Sequence, residues 1–273
     1  MISVITSVHN QLGMNKLFYE TLKKNPKNKF ELIVINNNST DGTTAYFENK
    51  ADKQILNAGN YSYPYCQNQG IDVAKYRYLA FLNNDLLVSQ GWDDKIVGIM
   101  TRQNIDVISF ATNDHLETKA VQNEMHRKWK RIKNVLRFFL GTGYRNLRWM
   151  AKLMYGDFDR FCRDRFLRFG DRTIEGFSGS CILMTKSALE KVGRWDEHQQ
   201  AADFDLFYRI KVRTMEEQDM KPIQLALGVY FHHFQRLTLR SKHLEPFVDQ
   251  NNMIPLENKW GNRAKELYKD VVG

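Results

Sequence analysis

An alternation of short apolar runs with helix-spaced segments over residues 1–113 constrains the fold more than any other feature of the sequence. Residues 2–8 form a β-branched run, and residues 12–24 carry leucines at helical spacing. Residues 30–35 and 77–82 are nearly continuous apolar runs, which are typical of strands covered on both faces. Strands and helices that alternate at this spacing predict βαβ crossovers, and therefore an α/β fold with a mostly parallel sheet flanked by helices.

The alternation stops near residue 113, and a basic segment follows. Residues 114–173 have helical character, and within them 126–172 contain 14 Lys and Arg against 4 Asp and Glu, or +10, while the remainder of the chain carries −1. Strand and helix features return in 174–240, and 241–273 predict a C-terminal helical extension. Because the excess charge is confined to one segment, we expect a local anionic partner rather than a protein that is basic all over.

Several classes of protein are disfavoured by composition and pattern. No apolar run approaches the roughly 20 residues that span a bilayer, and the N-terminus lacks the basic start and cleavage pattern of a signal peptide. The three cysteines, Cys66, Cys162 and Cys181, are an odd number without a C-x-x-C pair, so we expect buried thiols rather than a disulfide framework. These features favour a reducing, cytoplasmic location.

Polar clusters follow three of the predicted strands, at residues 7–10, 36–42 and 83–85. Asn, Ser and Asp are ordinary turn and helix-cap residues, but ligands of open α/β sheets bind at the carboxyl ends of the strands. Three clusters on one edge therefore favour a binding site. Glycine-rich phosphate loops are missing from the sequence, so a diphosphate there would need a metal held by hard oxygen ligands, for which Asp85 is well placed.

An ordered series of segments resembles the family 2 glycosyltransferases, which have the GT-A fold, a Rossmann-like α/β architecture. The series runs through 31–43 (ELIVINNNSTDGT), 78–85 (YLAFLNND), 179–184 (GSCILM), 189–197 (LEKVGRWDE) and 203–206 (DFDL). The resemblance covers about residues 1–113 and 174–234. It implies that 1–113 bind a nucleotide sugar, that 174–240 form the acceptor side of the same domain, and that 114–173 are an insertion.

The resemblance implies an inverting, metal-dependent transferase, of a hexosyltransferase-like kind. A sugar would move from a nucleoside-diphosphate sugar to a hydroxyl of a glycan or lipid-linked acceptor, in cell-surface polysaccharide or glycan assembly. Asp203 corresponds to the general base, which takes the proton of the acceptor hydroxyl. Asp85 would bind Mn²⁺ or Mg²⁺ bridging the two phosphates. His232, which we favour over His233, would contact the metal or the diphosphate.

The resulting site prediction has two further groups besides Asp203, Asp85 and His232. The donor-binding residues would be Ser7, Val8, His9, Asn10, Asn36, Asn38, Asp41, Asn60, Asn68, Asn83, Asn84 and Asp85. The acceptor-binding residues would be Gly179, Ser180, Trp195 and Asp196. Three positions depart from the family pattern: Asn83 replaces the first Asp of D-x-D, Asn36 replaces a pocket Asp, and Ala202 replaces an acidic residue before the base.

Alternatives remain for several of these residues. Asp205 is a second candidate for the base, although both Asp203 and Asp205 also suit the start of a helix. Trp195 suits core packing as well as a sugar ring.

The basic segment has open alternatives too. Its apolar positions Trp129, Ile132, Leu136, Phe139 and Leu140 could face an anionic membrane, at which the protein would be peripheral. They could equally pack inward in a helical subdomain. A nucleic-acid-binding protein and a non-catalytic sugar-binding protein, each on a degenerate transferase core, are the competing functions, the former less favoured.

Overall fold

A computed structural model of the protein describes residues 1–24, 26–235, 237, 245–269 and 271. These residues form nine strands, whose bounds follow. They are β1 (Ile2–Val8), β2 (Phe30–Asn37), β3 (Lys53–Asn57), β4 (Tyr78–Leu82), β5 (Leu86–Leu87), β6 (Val107–Thr112), β7 (Thr173–Glu175), β8 (Cys181–Thr185) and β9 (Gln224–His233).

The same residues form eleven α-helices and a 3-10 turn at Gln250–Asn252. The helices are α1 (Leu12–Leu22), α2 (Thr43–Glu48), α3 (Tyr63–Val73), α4 (Trp92–Gln103), α5 (Lys119–Leu140), α6 (Tyr144–Tyr155), α7 (Phe158–Phe169), α8 (Lys186–Val192), α9 (Ala202–Glu216), α10 (Leu256–Trp260) and α11 (Arg263–Tyr268). Of these described helices, none is both long and apolar enough to cross a membrane.

The strands form one sheet in the order β3-β2-β1-β4-β8-β6-β9-β5, with β7 paired to the side of β9. β1, β2, β3 and β4 run parallel, as do β6 and β9. β8 lies antiparallel between β4 and β6. The predicted α/β fold with a mostly parallel sheet is confirmed. Because β8 runs in reverse, its N-terminal end meets the carboxyl ends of the parallel strands.

The sheet is covered on both faces, which explains its continuous apolar runs. Along β2, Leu32 and Val34 belong to one core cluster and Ile33 and Ile35 to another. All four are 0% exposed. Alternate residues of a strand point to opposite faces, so a run without polar positions requires helices on both sides. The three cysteines are free and buried, as expected.

The basic segment folds into α5, α6 and α7. α6 packs against α1 and α5, and α7 lies along β9. Trp129 on α5 is fully buried and meets the His232 ring edge-on, with centroids 4.6 Å apart. Phe139 and Leu140, in contrast, are 74% and 64% exposed. The inward-packing alternative therefore holds for Trp129 but not for Phe139 and Leu140, for which contact with a membrane stays a prediction.

The C-terminal region, for which the sequence predicted a helical extension over residues 241–273, does not form one continuous helix. It forms the separate helices α10 and α11, because Gly261 between them adopts a left-handed backbone with φ 48°. Residue 270 and the predicted boundary between 240 and 241 lie outside the described residues. The division of the chain at 113, 173 and 240 stays a prediction.

Gly70 provides a test of this packing. It lies inside α3, and a Cβ there would come within 2.3 Å of Ile5 Cγ2 and 3.3 Å of Ile35 Cδ1. We expect Gly70→Ala to lower the free energy of unfolding by about 1–3 kcal/mol, since both neighbours are fixed in the sheet. Urea unfolding monitored by circular dichroism measures the change.

Gly98 in α4 is the matched control. A Cβ there would meet only the guanidinium of Arg102, a surface side chain that can move away. We expect Gly98→Ala to be neutral or to stabilise by up to about 1 kcal/mol, as alanine does in an unobstructed helix. A stability loss of equal size in both variants would contradict the packing described for α3.

Candidate functional site

Gly179 and Asp203 lie against each other where the loop before β8 meets the start of α9. A Cβ on Gly179 would lie only 1.8 Å from Asp203 Oδ2, so no side chain fits at this position. The Asn83 amide, which follows β4, donates to the Ser180 carbonyl (2.9 Å). These two contacts bring the end of β4, the start of β8 and the Asp203 carboxylate to one edge of the sheet.

The environment of Asp203 disfavours its charged form. Its carboxylate accepts a hydrogen bond from the Phe204 amide (3.0 Å). Burial raises the pKa of Asp203 above the ordinary value of 3.8, outweighing this bond. Tyr63 lies nearby, and its buried hydroxyl has no hydrogen-bond partner in the described part of the chain. A carboxylate with a raised pKa holds a proton more readily, as a general base must.

Asp205 has a different environment, although it lies only two residues further along α9. It is 0% exposed and accepts from Arg209 Nε (2.8 Å), Lys259 Nζ (2.7 Å) and Trp260 Nε1 (2.9 Å). These donors come from α9 itself and from α10 in the C-terminal region. Asp205 therefore fastens the C-terminal region to α9, and the contacts support Asp203 rather than Asp205 as the candidate base.

Asp85, His233 and Asp114 form a buried cluster at the same edge. His233 Nε2 lies 3.3 Å from Asp85 Oδ2, and His233 Nδ1 lies 2.7 Å from Asp114 Oδ2. Burial alone lowers the pKa of His233, but the two carboxylates prevail and raise it well above 6.5. Burial pushes the pKa of Asp114 up, yet the hydrogen bond from His233 holds it below 3.8. The cluster is thus an imidazolium between two carboxylates.

His232 lies on the opposite face of β9 and is fully buried. Its Nδ1 is 2.8 Å from the Tyr155 hydroxyl, and its ring packs against Trp129. Burial lowers the pKa of His232 to about 3, so the ring is neutral. The expectation that His232 rather than His233 faces the site is wrong, because adjacent strand residues point to opposite faces and it is His233 whose Nε2 lies beside Asp85 Oδ2.

The cluster has the donor atoms that a divalent cation shared with a diphosphate would need. Asp85 Oδ1 and Asp114 Oδ1 are both buried and accept no hydrogen bond within the described residues. The same residues contain no group of three His, Cys, Asp or Glu side chains arranged to enclose a metal ion by themselves. Mg²⁺ is often bound by one or two carboxylates together with substrate phosphates. The orphaned oxygens fit that mode.

The loops after β1 and β2 lie together, as predicted for a donor site. The Asn10 amide donates to Ser39 Oγ (2.8 Å), and Asn10 Oδ1 accepts from the Thr40 amide (2.8 Å). Asp41 Oδ2 accepts from the Leu12 amide at the start of α1 (2.7 Å). These bonds fix the two loops relative to each other.

The remaining residues of these loops have varied surroundings. His9 Nδ1 lies 2.6 Å from the Asn37 carbonyl oxygen, and Asn36 Nδ2 donates to Thr44 Oγ1 (2.8 Å). Asn38 is exposed in a left-handed conformation, with φ 54°. Ser7 lies beside them and is half-buried. Val8 is 2% exposed and belongs to the core, so only its backbone can face a ligand.

Three further predicted donor residues are engaged with other parts of the protein. Asn68 donates to the Trp195 carbonyl (2.9 Å) and accepts from its amide (3.1 Å), which holds the loop before α9. Asn84 donates to Asn15 Oδ1 (2.7 Å). Asn60 donates to the Glu245 carbonyl (2.8 Å), so the C-terminal region lies across this end of the sheet.

Of the predicted acceptor residues, two lie at the sheet edge and two contact other parts of the protein. Gly179 and Ser180 lie at the sheet edge beside Asp203 and Asn83. Trp195 is 3% exposed and packs edge-on against Tyr63 and Phe81, with centroids 5.2 and 5.1 Å away, which supports the core-packing alternative. The side chain of Asp196 accepts a hydrogen bond from Lys259 Nζ (2.7 Å).

Sequence reasoning missed three residues of the site: Asp114, Asn113 and Asn15. Asn113 bonds the backbone of His233 in both directions, accepting from its amide (2.7 Å) and donating to its carbonyl (3.1 Å). Asn15, 0% exposed, donates to the Asn10 carbonyl (2.8 Å) as well as accepting from Asn84. Asn113 and Asp114 follow β6, so the rule that found the other clusters also applied there. Asn15 lies in the first turn of α1 rather than after a strand, so no sequence pattern marked it as a site residue.

Residues 3–193 match the profile of glycosyl transferase family 2. The chain belongs to this family. A curated relative, the glycosyltransferase AglE of Haloferax volcanii, is 30% identical over 120 residues, which are 39% of this chain and 38% of that protein. The family match ends at residue 193, before Asp203 and His233. The roles assigned to those two residues therefore depend on the structure and on the resemblance of the segments around them.

Solved structures share the fold. The crystal structure of S. aureus TarS 1–349 has a TM-score of 0.52 and 13% identity, covering 85% of this chain and 60% of that one. The same protein in complex with UDP has a TM-score of 0.50 and 13% identity, covering 85% and 59%. This chain therefore covers about three fifths of the TarS 1–349 chain, and 36% of a longer TarS chain.

The contrast between Asp203 and Asp205 can be measured as stability. Asp205→Ala would leave two half-buried donors, Arg209 Nε and Trp260 Nε1, without their acceptor, and we expect the free energy of unfolding to fall by about 1–3 kcal/mol. Asp203→Asn removes a charge that burial disfavours, so we expect no loss and a slight gain. Urea unfolding of both variants gives the comparison, and equal losses would contradict the separate roles.

Proposed function

We propose that this family 2 glycosyltransferase transfers a sugar from a nucleoside-diphosphate sugar to a hydroxyl acceptor with inversion, and that Asp203 is the base. The observation that carries the proposal is the contact of Asp203 with Gly179, next to the Asn83–Ser180 hydrogen bond. A half-buried carboxylate thereby lies on the edge that also holds Asp85. A side chain at position 179 would occupy the place of its Oδ2.

The chemistry follows from that geometry. Asp203 accepts the proton of the acceptor hydroxyl as its oxygen forms a bond to the anomeric carbon. The bond between that carbon and the diphosphate oxygen breaks in the same step, and its electron pair leaves with the diphosphate. With a single base and attack on the side opposite the leaving group, the anomeric configuration inverts.

The donor would lie over the joined loops of β1 and β2. Asn36, Asn10 and Asp41 offer amide and carboxylate groups at the carboxyl ends of parallel strands, where α/β sheets bind their ligands. TarS has been solved in complex with UDP, which supports a nucleoside diphosphate as the leaving group. Asn36 can donate as well as accept, so the nucleoside is left open.

Asp85 would hold Mn²⁺ or Mg²⁺ in this enzyme, with His233 and Asp114 adjacent to it. Such an ion, when bound, neutralises charge that builds up on the leaving diphosphate. Asp114 and Asn113 orient His233, since one bonds its ring and the other its backbone. Carboxylates in that position orient the ring of a histidine near a metal.

The acceptor would be a glycan or a lipid-linked sugar, and the enzyme would act in cell-surface polysaccharide or glycan assembly. A cytoplasmic location with peripheral attachment at the inner membrane face is part of the same proposal. The orientation of the basic helices, described below, supports the attachment. Asn83 and Ala202 favour one other function, a protein that binds the donor without turning it over.

Replacing Asp203 tests the base. We expect Asp203→Asn to lower donor turnover by a factor of about 10²–10⁴, since general-base catalysis contributes that much, while nucleoside-diphosphate binding stays unchanged. The assay is release of nucleoside diphosphate from a panel of nucleotide sugars with Mn²⁺. The base must be deprotonated to act, and its pKa is raised above 3.8. In the wild type we therefore expect activity to be lost on acidification at a pH above 3.8. Binding with no wild-type turnover would instead support the non-catalytic function.

Replacing Asp85 tests the metal. We expect Asp85→Asn to weaken the Mn²⁺-dependent thermal stabilisation by UDP, GDP or ADP by at least about tenfold in apparent affinity, since a ligand that binds only the native state raises its stability. Asp94→Asn, an exposed acid in the first turn of α4, is the control. If both variants respond like the wild type, Asp85 is not a metal ligand.

A further inference from the structure

We infer that the end of the α5–α6 hairpin docks on an anionic lipid bilayer. Its apolar residues, which we call the hairpin tip, are Val135, Phe138, Phe139 and Leu140. They are 57%, 83%, 74% and 64% exposed. Phe138 and Phe139 form an edge-to-face pair, with centroids 5.0 Å apart. Four large apolar side chains in six residues, all turned outward, form a patch of the kind that marks an interaction surface.

The hairpin tip is exposed even though its helices are well packed. On the inner side of the same hairpin, Trp129, Leu147 and Met150 are all 0% exposed and share a cluster with Met14 of α1 and Phe234. α5 therefore has two apolar surfaces. One is its inner face, which belongs to this cluster, and the other is the exposed hairpin tip. The second apolar surface has no internal partner within the described residues.

The part of the hairpin that includes the tip has cationic but no anionic side chains of its own. Residues 126–155 contain nine Lys and Arg and no Asp or Glu. Seven of the nine are exposed, and none of these seven pairs with a carboxylate in the described part of the chain. They are Arg127, Lys128, Lys130, Arg131, Arg145, Arg148 and Lys152. Apolar side chains surrounded by unpaired Lys and Arg match an interface of anionic headgroups over hydrocarbon.

The chemistry of the tip favours a bilayer over a nucleic acid. Nucleic acids are bound by Lys and Arg on phosphates and by aromatic rings on bases. Val135 and Leu140 provide no ring to stack. The turn after α5 also protrudes: a Cβ on Gly141 or Gly143 would meet no atom within 4 Å. A protruding apolar end suits insertion between lipids.

The turn lies close to the candidate donor site. A Cβ on Gly13, at the start of α1, would come within 2.8 Å of the Tyr144 amide nitrogen and 3.4 Å of the Gly143 carbonyl carbon. Gly13 comes three residues after Asn10. Docking through the tip would therefore hold this edge of the sheet near the headgroups. The consequence that the acceptor is lipid-linked rests on the proposed function, whereas the docking itself does not.

The experiment is sedimentation of the full chain with vesicles. The vesicles are of phosphatidylcholine alone, or with about one third phosphatidylglycerol. We expect the wild type to bind only the anionic vesicles. The triple variant Phe138→Ser, Phe139→Ser, Leu140→Ser should bind at least about tenfold less, because it removes the inserting groups without touching the core. Met215→Ser, 60% exposed on α9, is the control and should bind as the wild type does.

Three results would overturn the proposal. The first is no binding of the wild type to anionic vesicles at low salt. The second is equal binding of the triple variant, which would mean attraction by charge alone. The third is tip-dependent binding to single-stranded RNA without binding to vesicles. Nucleotide-sugar turnover by the triple variant in the absence of vesicles is measured in parallel, so a failure of the proposed catalytic function is distinguished from a failure of docking.

Discussion

A single imidazole shared by two carboxylates determines the arrangement at the functional edge of the sheet. His233 ends β9 and is half-buried, and it lies between the buried residues Asp114, which follows β6, and Asp85, which follows β4. An isolated charge at this depth would be too costly, so the three groups are stable only together. Their pairing holds three strand ends close to one another, and it leaves one oxygen of each carboxylate without a partner. The same contacts therefore stabilise the sheet and leave these two oxygens available to accept a further interaction.

The sequence predicted the architecture well because two patterns were unambiguous, the continuous apolar runs of the strands and the helical spacing of the segments between them. Continuous apolar runs can be stable only between two layers of helix, and β2 shows this with residues that alternate between two cores. The polar clusters after β1, β2 and β4 followed from the same rule, since the carboxyl ends of parallel strands coincide. The reversed strand β8 then brought Gly179 and Ser180 to that edge through its pairing with β4.

The sequence could not predict which of several chemically similar residues the packing would select. Adjacent histidines point to opposite faces of a strand, and only the folded structure shows that His233 is the one beside Asp85. Trp195 and Asn68 suit a ligand in composition, yet they are used to attach one loop to α3. In the basic segment, the inward and the outward apolar residues of α5 are all large and apolar, so their type does not tell them apart. Only the position of α1 and α6 shows which of them are covered.

The attachment of Asp205 to the C-terminal region has a consequence for how this protein tolerates change. Lys259 and Trp260, both in α10, hold the first turn of the helix that carries Asp203. The position of Asp203 thereby depends on side chains that lie beyond the part of the chain matched by the family. Because these groups are in contact, we expect substitutions at Lys259 or Trp260 and substitutions in the first turn of α9 to have non-additive effects on stability.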